Sequence, residues 1–319
     1  MSLQDQQALL NRITATDQAS DLQGCDLIIE AVFEQRELKA SVTREAEPLL
    51  APGGFFASNT STLPISSLAA ASANAQKFVG IHFFSPVDKM KLVEIIRGQQ
   101  TDDETVARAF DYVQAIGKVP IVVNDSRGFY TSRTFGTFVM EGAAMLGEGI
   151  PAAVIENAGI QCGMPVGPLA VLDETALSLS VHMLDQTRAD YATEGKTYLA
   201  TPGERLVERM VRELQRPGHA SYTTQASMQD IKDRLLYRQA VETARCLAEG
   251  VLTTVHDANI GSIFGIGFPA WTGGAMQFIY GMGTDAFFQR ADQLATRFGT
   301  GFVVTDAVKA TVLQHQPRY

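Results

Sequence analysis

The sequence is poor in cysteine and contains no arrangement of cysteines typical of a disulfide-rich or zinc-binding domain. Its 319 residues include three cysteines, Cys25, Cys162 and Cys246, which lie far apart and form no Cys-x-x-Cys pair or Cys/His cluster. A disulfide framework and a structural zinc site are therefore not indicated. We expect the three thiols to be small buried groups in a reducing compartment.

Positive charge and long apolar runs are also scarce. The chain has 26 Lys and Arg against 35 Asp and Glu, a formal net charge of −9. Proteins that bind nucleic acid or anionic membranes through their overall charge are usually basic, so both functions are disfavoured. No stretch approaches the ~18 apolar residues of a membrane helix, and the first residues lack a signal-peptide pattern. We expect a cytoplasmic protein, in which only local basic groups can attract an anionic ligand.

The first ~125 residues have the pattern of an α/β domain, and a chain of this length favours about two domains. Short apolar runs rich in β-branched and aromatic residues alternate with helical stretches, which is typical of buried parallel strands. This alternation predicts a doubly wound α/β sheet. The predicted strands cover residues 26–32, 54–58, 78–84, 92–96 and 119–123. Helices are predicted over 34–50 and 102–116, the second beginning at a Thr101–Glu104 capping box.

After residue 125 the pattern becomes helical and repeats itself at roughly 100 residues. A Glu-Gly pair at 148–149 is followed by a Gly-Met-Pro segment at 163–165, and the second copy has Glu-Gly at 249–250 and Gly-Phe-Pro at 267–269. We expect two related helical bundles after a Rossmann-like sheet. The predicted domains are residues 1–125, 126–222 and 223–319, with Pro217 and Gly218 in a linker between the helical copies.

Polar residues follow three of the predicted strands, where an open α/β sheet binds its ligand. Glu34 and Lys39 follow the first strand, Asn59 and Ser61 follow the second, and Ser85 follows the third. Each also has a simpler interpretation, since residues of these types often cap helices or complement the helix dipole.

His82 is the most informative single residue. It lies inside an apolar strand, and a short turn leads to the next strand, which contains Glu94. Such a hairpin could place the imidazole beside the carboxylate, so that Glu94 fixes the tautomer and His82 acts as a general base. The alternative is a core histidine satisfied by a neighbour. His182, His219, His256 and His315 have no comparable setting, and we expect them to be surface or packing residues.

Several motifs occur in an order that carries a family resemblance. They are Ser-Asn-Thr-Ser-Thr at 58–62, His-Phe-Phe-Ser-Pro at 82–86, Lys-Leu-Val-Glu at 91–94, Gly-Phe at 128–129 and Gly-Met-Pro-Val-Gly-Pro at 163–168. This set resembles the L-3-hydroxyacyl-CoA dehydrogenases of fatty-acid β-oxidation. It is most similar to the dehydrogenase portion of the multifunctional fatty-acid oxidation α-subunit, which also duplicates the helical domain.

The resemblance implies a role for each matching residue. His82 would take the proton of the substrate 3-hydroxyl while its hydride passes to NAD, and Glu94 would orient His82. Ser61 would hydrogen-bond the 3-oxygen. The nicotinamide–ribose side of the cofactor would be lined by Ala31, Glu34, Lys39 and Asn59.

Two departures from the family pattern follow. The family has Gly-Phe-x-x-Asn-Arg where this chain has Gly-Phe-Tyr-Thr-Ser-Arg at 128–133, so Ser132 can donate a hydrogen bond but reaches less far than asparagine. The G-x-G-x-x-G fingerprint is also missing, because Gly265-Ile-Gly267 and Gly281-Met-Gly283 follow no strand and are interpreted as helix-turn glycines. In the family this fingerprint lies upstream. We therefore expect a fragment that lacks the first strand, phosphate-binding turn, first helix and second strand, and that binds NAD weakly or not at all.

Two other functions remain open from the sequence. The chain could be a dehydrogenase of a free hydroxy acid, with the same His82 and Glu94 but no groove for CoA. It could instead be a non-catalytic assembly module that joins a thiolase subunit or forms a homo-oligomer through its helical repeats.

Overall fold

A single sheet forms the first part of the chain in the computed structural model, which describes residues 2–213 and 226–317. Its strands lie in the order of the sequence, β1-β2-β3-β4-β5. They are β1 (Cys25–Glu30), β2 (Leu50–Ser58), β3 (Phe78–Phe83), β4 (Leu92–Arg97) and β5 (Val119–Asn124). All five predicted strands are confirmed, with small shifts at their ends.

The sheet is mainly parallel, with one antiparallel pair. β1, β2 and β3 pair in parallel, as do β4 and β5, whereas β3 and β4 form a hairpin. The connection from Phe83 to Leu92 is too short for a crossover helix, which a parallel pair would need. The carboxyl ends of β1, β2 and β3 therefore share one edge of the sheet.

Helices cover the sheet and form the rest of the chain. The described helices are α1 (Leu3–Leu10), α2 (Arg36–Ala46), α3 (Ile65–Leu68), α4 (Asp103–Ala115), α5 (Thr131–Gly147), α6 (Ala152–Cys162), α7 (Pro168–Glu174), α8 (Leu177–Thr193), α9 (Pro202–Arg212), α10 (Met228–Ala248), α11 (Val255–Ile266), α12 (Ala275–Met282), α13 (Thr284–Phe298) and α14 (Asp306–Gln314). One apolar core lies between α4 and one sheet face, and a larger core runs from the other face into the helical part.

The predicted capping box of α4 is wrong in detail. Asp102, not Thr101, is the N-cap residue, and its side chain accepts a hydrogen bond from the Thr105 N–H. The Thr101 hydroxyl instead donates to the Phe78 carbonyl at 2.6 Å. Because Thr101 and Asp102 are adjacent and both cap helices well, local sequence could not choose between them.

The predicted helical repeat is visible in the helix pattern. In each copy a long helix, α5 or α10, leads through a glycine at positive φ into a shorter helix that ends at a left-handed glycine. These last glycines are Gly163 and Gly267. Gly283 likewise ends α12, as expected for a helix-turn glycine.

Two matching sets of ion pairs join the long helices α5 and α10. Arg133 on α5 pairs with Glu242 and Glu249 of the second copy. Arg234 on α10 pairs with Glu141 and with Glu148, the latter at 2.6 and 2.7 Å. Arg234 lies one repeat length after Arg133, whereas Glu141 and Glu148 lie one repeat length before Glu242 and Glu249. Each long helix therefore gives the other the same arginine and the same two glutamates, as expected for an approximate two-fold arrangement.

The predicted linker, the cysteines and the length of the helices can be compared with the structure. The linker at Pro217 and Gly218, His219 and the boundary at 222–223 lie outside the described residues, so the domain limits stay predictions. Cys162 and Cys246 are buried as expected, while Cys25 is only half-buried. No helix among the described residues has the length and apolarity needed to cross a bilayer.

Candidate active site

The hairpin of β3 and β4 places His82 beside Glu94. The two residues are direct partners in the antiparallel register, and His82 Nδ1 lies 3.0 Å from Glu94 Oε2. Both are buried, with 4% and 0% of their surfaces exposed. The juxtaposition expected from the sequence is therefore present.

Glu94 accepts hydrogen bonds on both carboxylate oxygens. Its Oε1 accepts from the backbone N–H groups of Tyr130 and Thr131, at 3.0 and 3.2 Å, and its Oε2 accepts from the Thr131 hydroxyl at 2.6 Å. Tyr130 is the N-cap residue of α5 and provides no side-chain cap of its own. From β4, Glu94 thus caps this 17-residue helix, with two N–H groups at the positive end of the helix dipole pointing at its carboxylate.

The Glu94 carboxylate determines the state of the neighbouring imidazole. An ionised carboxylate only accepts hydrogen bonds, so His82 Nδ1 donates, and in the neutral imidazole Nε2 is the nitrogen with a free lone pair. The Phe84 ring packs 4.4 Å from the imidazole, and the Phe129 ring 6.2 Å away, between centroids. Phe129 has a φ of 49°, which a bulky residue rarely adopts, and such strain often occurs at functional sites.

Glu34 holds the turn that follows β2. Its Oε1 accepts from the Thr60 hydroxyl at 2.6 Å, from the N–H groups of Ser61 and Thr62 and from the Thr62 hydroxyl. Burial opposes the charged form, but these hydrogen bonds and the Lys39 charge outweigh it, so the pKa of Glu34 is lowered. The first N–H groups of α3, at Ile65 and Ser66, are capped by Asp125 and not by the residues that directly follow β2, which was the simpler interpretation of those residues.

Lys39 lies beneath this turn and is almost fully buried. Its ammonium contacts both Glu30 oxygens at 3.0 and 3.1 Å, and Glu34 Oε2 at 3.7 Å. It also donates to the carbonyls of Val32 and Asn59, both at 3.4 Å. Only 1% of the Lys39 surface is exposed, and its buried ammonium holds the loops after β1 and β2 through these contacts.

A chain of hydrogen bonds joins the loops that carry the predicted site residues. The Phe83 N–H donates to Asn59 Oδ1 at 3.0 Å, which ties the end of β3 to the loop after β2. The Gly128 N–H donates to the Thr62 carbonyl at 3.2 Å, which ties that loop to the start of α5. Because Glu94 joins α5 to His82, the loops form a closed ring around the sheet edge.

The remaining predicted residues lie on the same segments. Ser61 is exposed on the turn held by Glu34, Ala31 is exposed just after β1, and Ser132 is half-buried in the first turn of α5. The structure brings the elements that carry them together.

Sequence analysis missed several residues that build this edge. Thr131 and Glu30 bond the predicted residues directly, and a lone glutamate in the apolar first strand could have drawn attention to Glu30. From α8, the Gln186 amide donates to the Glu34 carbonyl at 3.0 Å, and Asp190 forms a bidentate pair with Arg36 at 2.9 Å. These contacts span more than 150 residues of sequence, and no local pattern predicts them.

The sheet edge fits the nicotinamide–ribose end of NAD. Among the described residues, every hydrogen bond to the Glu34 carboxylate falls on Oε1. Oε2 lies 3.7 Å from the Lys39 ammonium and can accept a hydrogen bond from a ribose hydroxyl. Asn59 uses its Oδ1 for Phe83, and its amide NH₂ has no hydrogen-bond partner among the described residues. No G-x-G-x-x-G turn occurs in the sequence, so the fit covers this end of the dinucleotide. Within the described residues, no group of three or more His, Cys, Asp or Glu side chains is placed so that it could hold a metal ion.

Both the sheet part and the helical part of the chain match known protein domains. Residues 1–126 match the NAD-binding domain of 3-hydroxyacyl-CoA dehydrogenases, and residues 128–223 match their C-terminal domain. The chain is 30% identical over 344 aligned positions to a fatty acid oxidation complex subunit alpha from Shewanella amazonensis, with all of this chain aligned but 48% of that protein. The chain thus spans about half the length of this relative.

Solved structures show the same fold. A 3-hydroxybutyryl-CoA dehydrogenase from Escherichia coli K12 aligns with 99% of this chain and 87% of its own, at a TM-score of 0.77 and 16% identity. An (S)-3-hydroxybutyryl-CoA dehydrogenase from Ralstonia eutropha is 32% identical over 67% of this chain and 74% of its own, at a TM-score of 0.60. The two domain matches together cover more than two thirds of the sequence, and the chain belongs to the 3-hydroxyacyl-CoA dehydrogenase family.

Proposed function

We propose that this chain catalyses the NAD-dependent oxidation of (S)-3-hydroxyacyl-CoA to 3-oxoacyl-CoA. The observation that carries the proposal is the buried His82–Glu94 pair at the carboxyl edge of the parallel strands. A neutral imidazole with its Nδ1–H held by a carboxylate is suited to take a proton from an alcohol at Nε2.

The reaction removes a proton and a hydride from the same secondary alcohol. His82 Nε2 takes the hydroxyl proton as the carbon–oxygen bond becomes double, and the Glu94 carboxylate stabilises the resulting imidazolium. NAD bound at this edge would supply the acceptor for the hydride that leaves C3. Proton transfer by a positioned histidine is typically worth about 10²–10⁴ in rate.

The other predicted residues would bind and orient the reactants. Ser61 on its exposed turn would donate to the 3-oxygen, and Ser132 in the first turn of α5 would be a second, shorter-reaching donor. Ala31, Glu34 and Asn59 would line the nicotinamide–ribose end of the cofactor. Lys39 would act from below by fixing Glu34 and Asn59, since its ammonium is buried among them.

We also propose that the chain works in fatty-acid β-oxidation, in the cytoplasm and beside a thiolase subunit. The similarity to a subunit of a fatty acid oxidation complex supports this setting.

The proposal is tested by oxidation of 3-hydroxybutyryl-CoA, followed through the absorbance of NADH. We expect turnover of the S enantiomer, little with the R enantiomer, and far less with free 3-hydroxybutyrate. Equal rates on the free acid and the CoA ester would favour the free hydroxy acid dehydrogenase. No turnover of any of the three, at saturating NAD and with folded protein, would contradict the proposed activity.

A further inference from the structure

Thr131 makes a contact with the catalytic pair that the predicted roles do not include. Its hydroxyl donates to Glu94 Oε2 at 2.6 Å, and this is the same oxygen that faces His82 Nδ1. Its backbone N–H also donates to Glu94 Oε1, at 3.2 Å. Thr131 is fully buried and begins α5, so the helix fixes its backbone while the two bonds fix its side chain.

The hydroxyl affects both the orientation and the charge of the carboxylate. With the Tyr130 and Thr131 N–H groups on one oxygen, and the Thr131 hydroxyl and His82 on the other, Glu94 accepts four hydrogen bonds. Rotation of the carboxylate would break this arrangement. Hydrogen bonds to an ionised group are strong, and each donor on Oε2 withdraws electron density from that oxygen. The Thr131 hydroxyl therefore weakens the hydrogen bond that Oε2 accepts from His82.

We propose that Thr131 is a positioning residue that sets the basicity of His82 through Glu94. By sharing Oε2 with the imidazole, its hydroxyl moderates how strongly Glu94 stabilises the imidazolium. The inference rests on the proposed function for its catalytic meaning, but its physical content concerns only these three residues.

The groups around the His82–Glu94 pair include few others that could set the basicity of His82. Within the described residues, Glu94 is the only ionisable group that bonds His82, and the rings packed on the imidazole are phenylalanines. Two other titratable groups sense the Glu94 charge, the Tyr130 phenol and the Cys246 thiol on α10. Burial raises the pKa of both, and the Glu94 carboxylate adds to the rise, so both stay neutral near neutral pH.

The test compares Thr131→Val, which loses the hydroxyl and keeps the shape, with Thr131→Ser, which keeps the hydroxyl. The His82 titration is measured by NMR in the unliganded protein, and His82→Gln assigns the signal. We expect the midpoint in Thr131→Val to rise by about one pH unit, a tenfold change in the protonation equilibrium, because Oε2 then serves His82 alone. The Thr131→Ser midpoint should match that of the wild type.

The acid limb of the kcat/KM profile for 3-hydroxybutyryl-CoA oxidation should move in the same direction. A merely structural role would lower the melting temperature without moving either curve, and an unchanged His82 midpoint in folded Thr131→Val would overturn the inference. If that variant does not fold, Thr131→Ala removes the same hydroxyl without adding a methyl group and is read in the same way. Because the NMR titration needs neither cofactor nor turnover, a wild type without activity would contradict the proposed function and leave this test intact.

Discussion

Replacing Glu94 by glutamine gives a quantitative prediction from the geometry of the site. The carboxylate accepts four hydrogen bonds from His82, Tyr130 and Thr131 and exposes no surface to solvent. A glutamine oxygen can accept two of these bonds, and its NH₂ group would face the donors of the other two. We expect the free energy of unfolding to fall by about 3 kcal/mol or more, the value of two hydrogen bonds to a charged group.

Activity should fall for either orientation of the new amide. If its NH₂ faces His82, Nδ1 must accept and the proton moves to Nε2, which can then no longer act as a base. If its oxygen faces His82, the imidazolium loses the carboxylate charge that stabilises it. We expect kcat for 3-hydroxybutyryl-CoA oxidation to fall by roughly 10²–10⁴-fold.

The matched control for this substitution is Glu104→Gln on the outer face of α4. The Glu104 side chain is 67% exposed and pairs with Lys77 at the surface. We therefore expect the Glu104→Gln protein to change in free energy of unfolding by no more than about 0.5 kcal/mol and to keep the wild-type kcat. Urea unfolding and steady-state kinetics on both variants are sufficient. A Glu94→Gln enzyme within a few-fold of wild-type kcat would refute the role given to the carboxylate.

Three further predictions concern the loops after β1 and β2 and the binding of the cofactor. Lys39→Met leaves the buried Glu30 carboxylate without its cation, and we expect a loss of about 3–5 kcal/mol in urea unfolding, against almost none for the exposed Lys196→Met. Because the pKa of Glu34 is lowered in the folded protein, its carboxylate stabilises the fold above about pH 4.3, and this contribution is lost as the pH falls through the folded-state pKa. We therefore expect Glu34→Gln to flatten the acid side of the curve of unfolding free energy against pH. An unchanged curve would contradict this. The sequence has no G-x-G-x-x-G turn, so we expect the AMP half of the dinucleotide to add little binding energy. Nicotinamide mononucleotide should then support a kcat/KM near that of NAD, and calorimetry should show weak binding of NADH. Tight micromolar binding of NADH would contradict this and show a phosphate site that this sequence motif does not identify.

The sheet and the His82–Glu94 pair could be predicted from the sequence because both depend on short-range patterns. Buried strands appear as continuous apolar runs, and His82 and Glu94 are separated by one turn, so a hairpin brings them opposite each other without long-range information. The family motifs then pointed to the same residues. The antiparallel direction of β4 follows from the same short connection.

The support around the pair could not be predicted in this way. Thr131 reaches Glu94 from the start of α5, and Gln186 reaches the Glu34 loop from α8. Contacts of this kind depend on how the helical part packs on the sheet, which the periodicity of either part does not specify. The N-cap of α4 was missed for a different reason, because two adjacent residues satisfy the same local pattern.

The proton transfer by His82 is tested most directly by comparing two histidine substitutions in one assay. His82 is buried against Glu94, whereas His256 is exposed on the first turn of α11. We expect His82→Gln to lose at least about 10²-fold in kcat for (S)-3-hydroxybutyryl-CoA oxidation, with the protein still folded, and His256→Gln to retain the wild-type rate. A His82→Gln enzyme that turns over as fast as His256→Gln would contradict a catalytic role for His82.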